Sequence, residues 1–385
     1  MMVQLTGEAV VTVDNKILKL NPADWSGSCL AVESTLHQLS PYIGKIKSTF
    51  ARKLITTYTK PDDIVLDPFA GSGTVILESL IAGRQAIAND INPYAITLIK
   101  AKMFPPDSLD EAIKDAKYYI SMTKKQSKEI DLEEVPDWIK KFYHQDTLKE
   151  IISLSQLLRE NNEDFLLACL LGILHHQRPG FLSYPASHLV PYLRTKKYPP
   201  EEYPEMYSYR DVESRLIKKI QRVYRRLPLF DNTLRRTCYQ KDAEELVLPD
   251  NSIDAIISSP PYMNALDYAR DNRLRLWFLG ERDYKKYDTK SPRNIEDFKN
   301  LMKTVMKNLY PALKMNSYCV FVLGDVNKSK KSINTALAVI DIANSLGSFD
   351  CEGFVRDEVP TFRRARKEGA CTKNEWIIVL RKVGN

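Results

Sequence analysis

Residues 259–262, Ser-Pro-Pro-Tyr, place a hydroxyl, a stiff backbone and an aromatic ring directly after a hydrophobic run. Proline fixes φ and restricts the residue before it, so Pro260 and Pro261 hold the carbonyls after Ser259 in set directions. A flat base with an exocyclic amine could donate to the Ser259 hydroxyl and to the Pro260 carbonyl while Tyr262 stacks on its ring. Two such bonds draw the nitrogen toward tetrahedral geometry and free its lone pair. The alternative is a stiff turn that only ends a strand.

A second candidate is the stretch DPFAGSGT, residues 67–74, which we predict to join a strand to a helix. Gly71 and Gly73 permit a tight turn and a close backbone approach to a ligand, and the helix that follows offers free N–H groups. The stretch lacks the lysine of a phosphate-binding P-loop, and Ile76 stands where a dinucleotide-binding fingerprint needs its third glycine. A ligand site and an ordinary tight turn both remain open.

The next predicted strand ends in AIANDINPYA, which places Asp90 at its carboxyl end. A carboxylate there can accept hydrogen bonds from both hydroxyls of a ribose. The alternative role is a helix N-cap, which Asp90 or Asn92 could also supply. The glycine loop and the acidic strand end together favour a cofactor that contains a nucleoside.

The elements that must position these residues follow from hydrophobic periodicity. Two parallel strands with a helix between them form a β-α-β unit around the glycine loop. The last two strands, near the C-terminus, are expected to pair antiparallel, and residues 1–30 read as a hairpin or as edge strands. The predicted strands are 63–67, 85–90 and 317–326, and the predicted helices are 45–59, 74–82, 93–103, 295–315 and 332–346.

Residues 105–235 interrupt the α/β rhythm with long helical patterns and a basic, aromatic tract. From position 190 to 241 there are thirteen Lys or Arg, six Asp or Glu and seven tyrosines. Cations, prolines and tyrosines of this kind suit contact with a nucleic-acid backbone and bases, so we expect part of 175–240 to bind DNA. The named candidates are Arg194, Lys196 and Lys197. His175 and His176 are expected to be core or helix-terminal residues rather than metal ligands.

Composition adds weaker constraints. The 385 residues are 44% hydrophobic and 27% charged, with a formal net charge of +7, which is typical of a globular protein and compatible with an acidic partner. The six cysteines form no C-x-x-C pair, so neither a zinc site nor a disulfide framework is expected. There is no signal peptide or long apolar run, and we expect a soluble, cytoplasmic protein with no membrane contact.

The three motifs DPFAGSGT, NDINPYA and SPPY, in this order, resemble those of the S-adenosylmethionine-dependent amino-methyltransferases that act on DNA. The serine at the start of SPPY is similar to that of the N4-cytosine group. The resemblance implies a doubly wound, mostly parallel α/β sheet of Rossmann-like type. Residues 1–104 and 236–385 would form the catalytic domain, and 105–235 a helical insertion that recognises the target.

The resemblance also implies roles for individual residues. Ser259, Pro260, Pro261 and Tyr262 would hold the target base, and Asn264, Asp267 and Tyr268 would border its pocket. The glycine loop would cradle the methionine part of S-adenosylmethionine, Asp90 its ribose, Ile91 and Asp242 its adenine, and an upstream segment would pack on it. The full set of implied cofactor residues is Tyr42, Asp67, Pro68, Phe69, Ala70, Gly71, Ser72, Gly73, Thr74, Asp90, Ile91, Asn92, Asp242 and Ala243.

These features predict methyl transfer to the N4 amine of a cytosine flipped out of duplex DNA. Methylation at cytosine C5 is not expected because it needs a nucleophilic cysteine, usually in a Pro-Cys pair, which the chain lacks. Attack by an amine requires neither a covalent intermediate nor a metal. The alternatives are N6-adenine methylation, methylation of a guanine amine in RNA, and a catalytically silent DNA-binding protein. A companion restriction endonuclease is a further partner that the resemblance allows.

Overall fold

The computed structural model describes residues 10–12, 18, 20–26, 33–263, 268–288, 291–328, 331–358 and 374–384. The strands are β1 (Val10–Thr12), β2 (Ile64–Asp67), β3 (Gln85–Asn89), β4 (Arg236–Tyr239), β5 (Ile253–Ser258), β6 (Leu313–Gly324), β7 (Val326–Lys328), β8 (Lys331–Ile333), β9 (Phe349–Glu358) and β10 (Asn374–Lys382). The helices are α1 (Ala23–Ser26), α2 (Ser48–Tyr58), α3 (Thr74–Ile81), α4 (Pro93–Met103), α5 (Leu109–Gln126), α6 (Asp137–Lys140), α7 (Gln145–Glu160), α8 (Asp164–Gly172), α9 (Val212–Val223), α10 (Tyr268–Asp271), α11 (Arg273–Phe278), α12 (Lys285–Asp288), α13 (Ile295–Leu309) and α14 (Thr335–Leu346).

The main sheet has eight strands in the order β1-β9-β10-β6-β5-β2-β3-β4. The pairings that join β6, β5, β2, β3 and β4 are parallel, whereas β10 is antiparallel to both β6 and β9. The predicted doubly wound, mostly parallel sheet is confirmed, and so is the antiparallel pairing of the last two strands. In the sheet, β3 lies on one side of β2 and β5 lies on the other, so the strand order reverses direction at β2. That reversal creates a crevice at the carboxyl ends of β2 and β5, where such sheets bind ligands.

The β-α-β unit follows the predicted boundaries closely, but the later elements shift. The helix predicted over 295–315 ends at Leu309, and β6 begins at Leu313 rather than at 317. Pro311 explains the difference, because proline provides no N–H for the next helical hydrogen bond and its ring clashes with the carbonyl four residues earlier. The predicted helix 332–346 begins at Thr335, after the short strand β8.

The segment predicted as a helical insertion holds α5 to α9, and these helices pack on α4 of the β-α-β unit. Leu98 of α4 shares one buried cluster with Leu154 of α7, Leu170 of α8 and Leu216 of α9. Helix α8 is buried on every side, as its uniformly apolar sequence requires. The insertion therefore packs on the outer side of α4, in a buried cluster that helices and loops form.

The N-terminal part of the chain adds an edge strand and a covering helix. β1 pairs antiparallel with β9 at one edge of the sheet, as expected for an edge strand, and much of the rest of 1–30 lies outside the described residues. The helix predicted over 45–59 is α2, whose Phe50, Leu54 and Ile55 are buried. Within the described ranges, none of the helices is long and apolar enough to cross a bilayer.

Candidate active site

The two principal motifs meet at the carboxyl ends of neighbouring strands. β2 ends at Asp67, where the glycine loop begins, and β5 ends at Ser258, directly before Ser259. The two strands are in parallel register, with Leu66 opposite Ile256. The buried Ser258 hydroxyl donates to Asp67 Oδ1 at 2.5 Å, so one hydrogen bond joins the glycine loop to the SPPY turn.

Beyond these strand ends lies a cleft of about 1020 Å³ that is open to solvent. Residues expected to hold the target base also line it, namely Ser259, Pro261 and Tyr268. The predicted cofactor residues on its wall are Tyr42, Asp67, Pro68, Phe69, Ala70, Gly71, Ser72, Thr74, Asp90, Ile91, Asn92, Asp242 and Ala243.

Three predicted residues do not line the cleft: Gly73, Pro260 and Tyr262. Gly73 has a φ of +71° at the start of α3, and a Cβ there would lie 3.0 Å from the Ile99 side chain of α4. Its small size therefore permits the packing of α3 on α4. The roles predicted for Gly73, Pro260 and Tyr262 at the cofactor and the base stay predictions.

Gly71 lines the cleft, and its backbone conformation disfavours any residue with a side chain. Its φ is +50°, and a Cβ would meet the Tyr42 ring at 3.4 Å. The Tyr42 ring stacks on Tyr94, whose hydroxyl donates to the Pro41 carbonyl at 2.6 Å. The upstream segment is thus fixed against the glycine loop, which leaves the backbone N–H groups of that loop close to the cleft.

Asp90 organises the loop through both carboxylate oxygens. Oδ2 accepts from the Gly71 N–H at 2.8 Å and Oδ1 from the Asn92 N–H at 2.9 Å. Each oxygen keeps a further lone pair for a ligand hydroxyl. The N-cap of α4 is Asn92 rather than Asp90, because Asn92 Oδ1 accepts from the Tyr94 N–H. Removal from water raises the pKa of Asp90 to about 6 and that of Asp67 to about 7.

A buried asparagine clamps the loop to the segment that carries Asp242. Asn89 Nδ2 donates at 3.1 Å to the carbonyls of Pro68 and Lys241, and its Oδ1 accepts from the Lys241 N–H. Asp242 caps the short turn that follows by accepting from the Glu244 N–H at 3.2 Å. Neither Asn89 nor Lys241 was predicted, because their roles depend on β3 pairing with β4 across the insertion.

The SPPY turn carries a chain of hydroxyl groups. Ser259 Oγ donates to Tyr262 Oη at 3.4 Å, and Tyr262 Oη donates to Glu375 Oε1 at 3.3 Å. Burial raises the pKa of Tyr262, with a contribution from the nearby Glu375 carboxylate. Glu375 comes from β10, 113 residues further along the chain, and nothing in its local sequence indicates this contact. Stacking of Tyr262 on a base stays a prediction.

A charged network lies behind the glycine loop. Lys102, which is 2% exposed, donates from Nζ to the Ser72 carbonyl. Burial lowers the pKa of Lys102 to about 7. The buried Glu78 of α3 bonds His37 Nε2 and Arg52 Nε at 2.7 Å each. The apolar pattern of α3 and α4 gave no sign of this network, because isolated charges within helices usually face solvent.

Of the residues expected to contact DNA, Tyr268 lines the cleft, whereas Arg194, Lys196 and Lys197 do not. Arg194 is half-buried and donates to Gln177 Oε1 at 2.6 Å, whereas Lys196 and Lys197 are exposed. Asn264, Asp267 and the basic stretch 362–373 lie outside the described residues. In the described part of the chain, no three His, Cys, Asp or Glu side chains are grouped to hold a metal ion. As expected, His175 and His176 are buried.

Comparison with known proteins agrees with this geometry. Residues 38–101 match a family model described as DNA methylase. The chain is 27% identical over 250 residues to the Type II methyltransferase M.MvaI of Kocuria varians, a match that covers 58% of this chain and 53% of that protein. It is 26% identical over 277 residues to the Type II methyltransferase M.BsoBI of Geobacillus stearothermophilus, covering 64% and 53% respectively. The chain thus spans about half the length of these curated relatives.

Among solved structures, the chain is similar to a SAM-dependent methyltransferase of Methanosarcina mazei. The sequences are 12% identical, the match covers 86% of this chain and 98% of that one, and the TM-score is 0.34. The family match contains both the glycine loop and Asp90. Residues 38–101 therefore carry the domain of the amino-DNA methyltransferases, and the resemblance indicated by the motifs is confirmed.

Proposed function

We propose that this protein transfers a methyl group to the exocyclic N4 amine of a cytosine flipped out of duplex DNA. The observation that carries the proposal is the hydrogen bond between Ser258 and Asp67, because it brings the glycine loop and the SPPY turn to one cleft. A cofactor site and an amine-binding turn are then close enough for direct transfer, which depends mainly on positioning.

The proposed cofactor is S-adenosylmethionine, which supplies the methyl group as a sulfonium. The cleft fits it chemically. Asp90 keeps lone pairs for ribose hydroxyls, Asp67 provides a carboxylate near the cationic part, and the missing Cβ of Gly71 leaves the loop backbone accessible. Tyr42, Ile91 and Asp242 line the remaining wall.

Ser259 and the Pro260 carbonyl are the proposed acceptors for the two amine protons. Because Ser259 Oγ donates its proton to Tyr262 Oη, both of its lone pairs are available to the amine. Glu375 anchors Tyr262 Oη and thereby fixes the direction of this hydroxyl chain. Acceptors held in place before the substrate arrives stabilise the developing charge most effectively.

Three features support duplex DNA and cytosine N4 as the substrate. The relatives in the comparison are Type II methyltransferases, and the first residue of the turn is Ser259, as in the N4-cytosine group. The basic tract of 190–241 provides charge for a polyanion. Adenine N6 uses the same donor geometry on a larger base and is the nearest alternative. A companion restriction endonuclease stays a prediction.

The test is methyl transfer from labelled S-adenosylmethionine to mixed-sequence duplex DNA, followed by digestion to nucleosides and mass spectrometry. N4-methylcytosine is the expected product. N6-methyladenine would overturn the inference from Ser259 and leave the rest intact. Transfer to RNA alone would refute the DNA substrate, and cofactor binding without any transfer would indicate a silent DNA-binding protein.

A further inference from the structure

Residues 186–193 form a small hairpin on the surface of the insertion, hereafter the 186–193 hairpin. An isolated antiparallel bridge pairs Ala186 with Leu193, and the Ser187 N–H donates to the Tyr192 carbonyl at 2.9 Å. Two rungs of pairing give a protrusion of defined shape rather than a loose loop.

The hairpin is tied to the protein at both sides of its tip. Arg273 Nη2 donates to the Pro191 carbonyl at 2.6 Å, while the Arg273 guanidinium lies over the Trp138 ring at 5.6 Å. The buried His175 donates from Nδ1 to the Ser187 carbonyl at 2.8 Å. These anchors hold the backbone of the tip, so its position relative to α11 is set before any partner arrives.

Two large apolar side chains face solvent on this hairpin. Leu189 is 37% exposed and Tyr192 is 56% exposed, although the surrounding segment buries Leu182, Pro185 and Ala186. Single exposed apolar residues are ordinary, but a pair on one anchored turn indicates an interaction surface.

Two short helices link the hairpin to the proposed active site. Tyr268 and Ala269, at the start of α10, line the cleft, and Arg273, which holds Pro191, begins α11. Arg273 follows Tyr268 by five residues in the chain. The Asn272 side chain donates to the Tyr268 carbonyl at 2.9 Å and joins the two short helices.

The charge of the residues around the hairpin indicates the chemical class of its partner. Residues 175–200 contain four Lys or Arg and no Asp or Glu. Three of the four cations, Arg178, Lys196 and Lys197, are exposed, and Arg194 is half-buried. An apolar tip flanked by these cations suits a polyanion that has a stacked apolar interior, which is the chemistry of duplex nucleic acid.

We infer that the 186–193 hairpin is a wedge that inserts Leu189 and Tyr192 into the base stack next to the target base. The wedge would fill the space left when that base turns into the cleft, and it would thereby offset the cost of unstacking. The flanking cations would hold the two phosphate backbones. This inference rests on the proposed function, because it requires a base to leave a duplex.

The experiment compares the wild type with the Leu189→Ala/Tyr192→Ala double variant on the target sequence found by methylation mapping. The control is Leu337→Ala/Tyr118→Ala, which removes two exposed side chains of the same types from α14 and α5, with 46% and 60% exposure. Single-turnover methylation is measured on fully paired duplex and on the same duplex with a mismatch opposite the target base, where unstacking costs less. Thermal unfolding confirms that all variants are folded.

We expect the wedge variant to methylate the paired duplex at least about tenfold more slowly than the wild type, and the mismatched duplex within about threefold of it. The control variant should match the wild type on both. Unchanged rates on the paired duplex, or an equal loss on both duplexes, would overturn the wedge and leave the proposed function standing. A wild-type protein that methylates no DNA would refute the proposed function, and the wedge with it.

Discussion

The proposed cofactor wall and the proposed base wall of the cleft are assembled differently. The cofactor wall comes largely from one β-α-β unit, where Asp90 and Asn89 bond the backbone of a loop about twenty residues away. The base wall combines Ser259 after β5, the Tyr262 that is bonded to it and Glu375 from β10. Backbone partners hold the first wall, and side chains from distant strands hold the second.

We expect the first wall to govern the affinity for the cofactor and the second wall to govern the rate of methyl transfer. A loop fixed by short backbone hydrogen bonds provides affinity for a ligand, because little order is lost on binding. The base wall instead aims acceptors at the reacting amine, and that interaction matters most in the transition state. Substitutions on the two walls should therefore affect different measured quantities, and the following predictions test that separation.

The largest effect is expected for Ser259→Ala. Loss of one positioned acceptor should lower the rate of methyl transfer by about 10²–10³-fold, as for other preorganised acceptors and donors. Cofactor affinity should stay within about twofold by calorimetry, since Asp90 and the glycine loop are unchanged. The control Ser345→Ala removes an exposed serine hydroxyl from α14. An equal loss of cofactor binding would contradict the division between the walls.

Asp90→Ala should act mainly on the cofactor wall and therefore on cofactor affinity. It removes both acceptors that hold the Gly71 and Asn92 N–H groups, and with them the proposed ribose contact. We expect the Kd for S-adenosylmethionine to rise about 30-fold, on the order of 2 kcal/mol, with a smaller change in the rate at saturating cofactor. Asp110→Ala, at an exposed position on α5, is the control. A saturated rate that falls more than the affinity would place Asp90 on the base wall instead.

The pH dependence of cofactor binding should show the ionisation of Asp90 and Asp67, which both belong to the cofactor wall. The pKa of Asp90 is raised to about 6 and that of Asp67 to about 7, and a ligand with hydroxyls and a cationic sulfur prefers their carboxylate forms. Affinity should therefore rise about tenfold from pH 5.5 to 7.5 and then level off. In Asp67→Asn the upper part of this rise should disappear. An affinity independent of pH in the wild type would exclude these carboxylates from the site.

Whereas cofactor affinity should rise with pH, the raised pKa of Asp67 should make the unliganded protein less stable as pH rises. The folded state holds this proton up to about pH 7, whereas the unfolded chain releases it near the ordinary aspartate value of 3.8. The stabilising contribution is present below that ordinary value and is lost as pH rises to about 7. Relative to Asp67→Asn, the wild-type free energy of unfolding should thus fall over this range, measured by urea titration without cofactor.

The smallest effect is expected behind the cofactor wall, for Lys102→Met. Its amine donates to the Ser72 carbonyl, so the substitution should weaken cofactor binding only about threefold through a less ordered loop. The pKa of buried Lys102 is lowered to about 7, below that of the unfolded chain. Relative to Lys102→Met, the wild-type free energy of unfolding should therefore increase from pH 7 to pH 9 by about 1 kcal/mol per unit. A difference that stays constant between pH 7 and pH 9 would show that Lys102 is charged when folded.

The sequence by itself determined the elements and the residue types of the site. Periodicity located β2, α3, β3 and α4 to within about two residues, because each is a short, uninterrupted pattern. Thirteen of the fourteen predicted cofactor residues line the cleft. Gly73 is the exception, and the sequence alone does not distinguish a glycine that permits helix packing from one that contacts a ligand.

Only the tertiary structure decided how the two walls meet. The Ser258–Asp67 bond joins residues 191 positions apart, and the Glu375 contact spans 113. The tertiary structure likewise buries Lys102 against the glycine loop, joins Arg273 to the 186–193 hairpin and packs the insertion on α4. Local patterns carry no information about such pairings, because the free energy that selects them comes from burying distant segments against one another.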